Sequence, residues 1–216
     1  DALPAIAQAL AAIHALAVPA DAASAPIPLH ADPVTATLAV IEAQAEYLHE
    51  AGLASAALSQ IKDELARARA FAAEAVGADI PVTLVGTDTH PGNFMTRPDG
   101  VAIFVDLEKM LYGAPAIDLA HATVYTSTMW DADVATALTP EDVAVFYAAY
   151  FAAMPSALAL RIRPWCGPLR RFTWLRTTTW CAKWRVQSRD GVAWSAAQHD
   201  PAYIQSVRDR IADYFD

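Results

Sequence analysis

Apolar residues recur at helical spacing through most of the chain and at strand spacing in one short stretch. Leu3, Ile6, Leu10, Ile13 and Leu16 lie three and four apart, which predicts a helix over residues 1–17 with one apolar stripe. Residues 18–33 carry Pro19, Pro26, Pro28 and Pro33 and read as a surface connection, because proline blocks a regular helix. Helices are then predicted over 34–51 and 55–76, with Gly52 as the cap between them. The second has Leu58, Ile61, Leu65 and Phe71 at core spacing and leaves Lys62, Glu64, Arg67 and Arg69 to solvent.

The strand signal is confined to the middle of the chain. Residues 80–85 read as a short strand, and 93–95 and 101–105 as the arms of a β-hairpin turned by Arg97-Pro98-Asp99-Gly100. Beyond it, 115–129 reads as one helix, with Asp118 in its first turn, where the helix dipole favours an acid. Thr139 and Pro140 are a cap and first position for a helix running to about Met154. A long helix over 169–187 follows, then a turn at Asp190-Gly191. A last helix over 201–215 buries Tyr203, Val207, Ile211 and Tyr214. The pattern is mainly α with a small β-hairpin, in a single domain: 1–79 helical apart from the 18–33 loop, 80–121 the hairpin segment, and 122–216 helical.

Composition narrows the partners. At 216 residues the chain can build one sizeable core, and its net charge of -9 argues against a general nucleic-acid binder. Residues 156–189 run against that balance, with eight Arg and Lys residues, no acid, and Trp165, Trp174, Trp180 and Trp184 among them. Large aromatics at helical spacing are more often packing than a ligand cage. No apolar run approaches the roughly 20 residues that span a bilayer, and no signal segment opens the chain. Cys166 and Cys181 form no metal or redox motif, so a reduced, cytoplasmic setting is the expectation.

The chemistry gathers in residues 84–121. A hairpin folds its ends together, which brings Asp88 and Asn93, before the first arm, close to Asp106, at the end of the second. Two carboxylates and an amide oxygen suit a hard divalent cation carrying phosphate oxygens. The segment Asp88-Thr89-His90-Pro91-Gly92-Asn93, with Val105-Asp106-Leu107-Glu108 and the run from Gly113 to Ala120, resembles the catalytic core of the small-molecule kinases that include aminoglycoside phosphotransferases and choline kinases. Leu10 to Leu16 is similar to that family's L-x-x-L-H-x-L segment, although His14 also reads simply as a helix-end histidine. Gly86 and Thr87 stand where the family most often has His and Gly, and Leu107 where it usually has Trp.

The resemblance implies the C-terminal lobe of a protein-kinase-like fold. It implies ATP as donor, Mg²⁺ as cofactor and a small-molecule hydroxyl as acceptor, such as an amino alcohol or aminoglycoside. Asp88 would be the catalytic base, and Asn93 and Asp106 the metal ligands. Glu108 and His90 would support them, Asp118 would brace the loop, and Trp180 and Trp184 would be candidates for the acceptor pocket. The N-terminal lobe of such kinases carries a glycine-rich loop and a strand lysine. No such turn precedes Asp88, and the first lysine, Lys62, falls in a helix. The expectation is a fragment of a longer kinase, inactive alone, with a single-lobe protein or a partner chain that supplies the other lobe as alternatives. Two other functions compete. One is a non-catalytic, pseudokinase-like binding module. The other is a metallohydrolase using His90, Asp88 and Asp106, which is weakened by Pro91 after His90 and by the lack of a second His at ligand spacing.

Overall fold

The computed structural model describes residues 2–189 and 201–215, so the turn expected at Asp190-Gly191 lies outside the described residues. Helix α1 (Ala2–His14) is followed by the loop of residues 15–32, then α2 (Pro33–Ala45) and α3 (Ser55–Glu74). The short strand β1 (Thr83–Val85) leads to the hairpin β2 (Phe94–Thr96) and β3 (Ala102–Phe104), and then to β4 (Leu111–Gly113). Helices α4 (Pro115–His121), α5 (Tyr125–Thr128), α6 (Pro140–Ala153), α7 (Ser156–Ile162), α8 (Cys166–Gln187) and α9 (Pro201–Asp213) complete the chain. Among the described residues, no helix is long and apolar enough to cross a membrane.

Two apolar cores carry these elements. In one, α8 packs on α2 and α4, and α3 and α9 close it with Ile61, Leu65, Val207 and Ile211. In the other, α1 packs on α6 and on β3, through Ile6, Leu10, Ala102, Phe146 and Tyr150. The hairpin pairs Phe94 with Phe104 and Thr96 with Ala102, and Gly100 takes the left-handed turn position at φ 83°. The second antiparallel pair joins β1 to β4, Thr83 opposite Gly113. The 18–33 connection does more than cover surface. Tyr112 N–H donates to Pro28 O and His30 N–H to Tyr112 O, both at 2.8 Å, which ties the loop to β4.

Several expected boundaries shift for physical reasons. The α2 helix tightens into a 3₁₀ turn at Glu46–His49 before Gly52 (φ 67°) ends it. The helix expected over 115–129 breaks after His121. Arg170 donates to both the hydroxyl and the carbonyl of Thr123, and Val124 turns extended (φ −79°, ψ 145°). In α9 the buried stripe is Ile204, Val207 and Ile211, and Tyr203 is 43% exposed. Glu64 is not a solvated charge: Arg171 grips its carboxylate with two nitrogens (2.7 and 3.1 Å), tying α3 to α8 and lowering the Glu64 pKa. The α1 stripe ends on His14 rather than Leu16, which falls beyond the helix and is 56% exposed.

Leu10 has no exposed surface and joins α1 to the α6 core. Leu10→Ala is expected to destabilise the chain by about 3 kcal/mol, read from urea unfolding, because the helix contacts on both sides prevent collapse around the cavity.

Candidate active site

Asp88 stands in the loop between β1 and β2, and the shape of that loop is fixed from behind. Asp118, wholly buried in the first turn of α4, accepts the Gly86 N–H at 2.6 Å and the Thr87 N–H at 2.9 Å, one on each oxygen. Its backbone oxygen accepts the Thr89 hydroxyl at 2.8 Å. His14 Nε2 lies 3.2 Å from the same carboxylate, and its Nδ1 lies 2.9 Å from the Tyr150 hydroxyl. A carboxylate can only accept, so His14 donates from Nε2; in that neutral tautomer Nδ1 accepts the Tyr150 hydroxyl. His14 is the last residue of α1, as the sequence placed it, and is wholly buried.

Gly86 and Thr87 explain themselves in this setting. A Cβ on Gly86 would lie 2.6 Å from the Phe104 ring and 2.9 Å from Thr89 Cγ2, so no side chain fits there. Phe104 stacks obliquely on Phe94 at 5.1 Å and fills that space. Thr87 adopts φ 62°, a conformation that a β-branched residue holds only when its surroundings enforce it. Every polar group of Thr87 is engaged. Its N–H is on Asp118, its hydroxyl donates to Lys109 O at 3.0 Å, and its carbonyl accepts from Arg176 Nη2 at 2.7 Å.

The hairpin brings the remaining candidates to this loop. Asn93 O accepts the Val105 N–H at 2.9 Å, so Asn93 stands opposite Val105 and Asp106 is the next residue along the second arm. Asn93 Nδ2 donates to Asp88 O at 2.8 Å, which fixes the amide's orientation and leaves its oxygen available. Asp106 sits at φ 62° just before a 3₁₀ turn, and its carboxylate caps no backbone N–H. An amide oxygen and one carboxylate form a donor set that fits Mg²⁺, which takes one or two carboxylates and completes its shell with water and phosphate. Among the described residues there is no cluster of three or more His, Cys, Asp and Glu side chains of the kind a metallohydrolase needs.

A cleft of about 600 Å³ opens in front of the loop, lined by Asp88, His90, Asp106, Lys109, His121 and Arg176, and walled by Trp130 and Trp180. Trp184 is 4% exposed and lies in the core, off the cleft. Glu108 is exposed and outside the lining, while His90 turns Nδ1 back to accept the Gly92 N–H at 3.2 Å. Three titratable lining residues were not singled out as site residues from the sequence: Lys109, His121 and Arg176. Lys109 follows the Asp106-Leu107-Glu108 motif directly, and that adjacency was the one available signal. His121 and Arg176 reach the cleft only through packing of α4 and α8.

Lys109 Nζ lies 2.6 Å from Asp88 Oδ2, and His121 Nε2 lies 3.9 Å from Oδ1. Burial works to raise the Asp88 carboxyl, but the hydrogen bond and charge of Lys109 oppose it, and the group stays below the ordinary carboxylate range. Burial, reinforced by Arg176, pushes His121 down to about 3. His121 is therefore neutral at pH 7, and Lys109 is the neighbouring charge that holds Asp88 ionised.

Two outcomes follow from these shifts. The folded-state pKa of His121 lies below its unfolded value of about 6.5, so the unfolded chain binds more protons between the two, and stability falls as pH drops from about 6.5 towards 3. Urea unfolding over a pH series is expected to show this limb and to show it flattened in His121→Gln. In Lys109→Met, burial acts on Asp88 with less opposition, so its carboxyl is expected to titrate at higher pH, followed by carbon NMR of the side chain.

The model of the family described as "Phosphotransferase enzyme family" matches residues 1–161. A search of curated proteins finds no match. Among solved structures, a Plasmodium vivax ethanolamine kinase aligns with TM-score 0.58 at 14% identity, over 98% of this chain and 58% of that one. A macrolide 2'-phosphotransferase type I aligns with TM-score 0.52 at 16% identity, over 97% of this chain and 58% of that one. At such identities these two show a shared fold, and the chain spans 58% of the length of each. With its family model matched over most of its length, including the whole of the loop and hairpin, the chain belongs to the phosphotransferase enzyme family.

Proposed function

We propose that this chain carries the base and metal-holding half of an ATP- and magnesium-dependent phosphotransferase that acts on a hydroxyl of a small molecule. The observation that carries the reading is the grip of Asp118 on the backbone of Gly86 and Thr87. It presents Asp88 to a cleft that Asp106 also lines. The names of the two structural neighbours, an ethanolamine kinase and a macrolide phosphotransferase, agree with phosphate transfer to a small molecule. The glycine-rich loop and strand lysine that grip the nucleotide in kinases do not precede Asp88 in this sequence. The reading assigns them to a further lobe of the same protein or to a partner chain.

In this mechanism Asp88 accepts the proton of the attacking hydroxyl. Its depressed pKa keeps it ionised at neutral pH, and the loop contacts hold it in one place, so that catalysis is mostly positioning. Lys109 must share or release Asp88 for a hydroxyl to reach it. Asn93 and Asp106 would hold the magnesium ion, which when bound supplies charge neutralisation on the phosphate oxygens. His121, neutral and buried, orients around Asp88 without adding charge.

An ATP-consumption assay on the full-length protein, with a panel of amino alcohols, aminoglycosides and other hydroxyl compounds, tests the reading. Asp88→Asn is expected to lower kcat by about 10²–10⁴-fold with the unfolding midpoint little changed. Asp106→Asn is expected to weaken Mg²⁺-dependent ATP binding in calorimetry. Turnover that survives Asp88→Asn, or a full-length protein that binds no ATP with Mg²⁺, overturns it.

A further inference from the structure

The cleft has a second set of polar groups that base and metal chemistry does not use. Arg176, on α8, makes one side-chain hydrogen bond among the described residues, to Thr87 O, and no ion pair. A guanidinium has five donors, so most of its capacity is uncommitted. Burial pulls its pKa down, with Asp88 and Asp118 acting in the opposite direction from beyond ion-pair reach. Two other lining residues, His121 and Ser127, only 7% and 3% exposed, each carry a buried polar atom, Nδ1 and Oγ, with no partner among the described residues. Buried polar groups are nearly always hydrogen-bonded, so unpartnered ones lining a cleft mark where a ligand's polar atoms belong.

The charge of the lining points to the kind of ligand. Its two carboxylates are Asp88 and Asp106, and Asp88 is already held by Lys109. Among the described residues no other Asp or Glu lines the cleft, so a cationic acceptor has no acid of its own to meet. A partly buried cation without a contact anion is costly, and an oxyanion brought by the ligand would relieve it. Trp130 and Trp180 pack edge to face at 5.3 Å and offer an aromatic, apolar wall beside these groups.

We propose, building on the phosphotransfer reading, that Arg176, His121 and Ser127 form an oxyanion subsite of the acceptor pocket. The acceptor class is then a hydroxy acid or similar anion with a flat apolar part, rather than a cationic amino compound. Arg176 receives the oxyanion through its uncommitted N–H groups, Ser127 and His121 complete the hydrogen bonds, and the tryptophans cover the apolar part.

Three matched probes test this by calorimetry on the full chain at neutral pH: 3-phenyllactate, the neutral 3-phenyl-1,2-propanediol and the cationic phenylalaninol. Phenyllactate is expected to bind at least about tenfold more tightly than the other two, and Arg176→Gln to remove that preference while leaving the diol within about twofold. Arg176→Lys, which keeps the charge but loses the planar fork, is expected to fall between, and stands in if Arg176→Gln does not fold. Tightest binding of phenylalaninol, a phenyllactate preference that survives Arg176→Gln, or no binding of any probe overturns the subsite. So does a loss of ATP affinity in Arg176→Gln with phenyllactate unaffected, since the cation would then serve the donor. A full-length protein with no ATP-dependent turnover but an intact phenyllactate preference would sink the phosphotransfer reading and leave the oxyanion site standing.

Discussion

The buried carboxylate of Asp118 is the constraint on which the rest of the site depends. A charge with no solvent exposure is tolerated only when its oxygens are filled by donors, and here two backbone N–H groups and an imidazole fill them. Those donors come from the loop before Asp88 and from the end of α1, and His14 passes the constraint on to α6 through Tyr150. Three elements distant in sequence from α4 are thereby tied to one carboxylate. Because removing any one donor leaves a buried polar group unmatched, the loop has little freedom to adopt another shape.

Local chemistry made much of this legible before any coordinates. The hairpin arose from a four-residue turn and a β-branched run, and its register places Asn93 opposite Val105, next to Asp106. The capping box at Thr139 and Asp142 is likewise written within four residues. What the sequence hid was decided by partners far along the chain. The break after His121 depends on Arg170 reaching Thr123 from α8. The solvated look of Glu64 dissolves once Arg171 is placed opposite it. Trp180 and Trp184 are four residues apart on one helix, yet one lines the cleft and the other the core. Helical spacing puts them on the same broad face and cannot say which neighbour each will meet.

The overall acidity of the chain is a poor guide to this cleft. Its net charge is -9, but beside Asp88 the lining holds a lysine and an arginine, with two histidines close by. Exposed charges are screened over about 8–10 Å in salt, whereas partly buried ones act at short range with little screening. The local field that a substrate meets is therefore set by Asp88, Asp106, Lys109 and Arg176 rather than by the chain's net charge.

Gly86 and Phe104 have a consequence for how this sequence can diverge. The phenyl ring occupies the volume that any side chain at position 86 would need, and the same ring packs on Phe94 across the hairpin. Neither residue can drift alone. A bulkier residue in the loop demands a smaller one on the strand, and a smaller strand residue alone opens a void beneath the base. The two positions form one packing unit, in which a side chain at position 86 needs room first opened on the strand side.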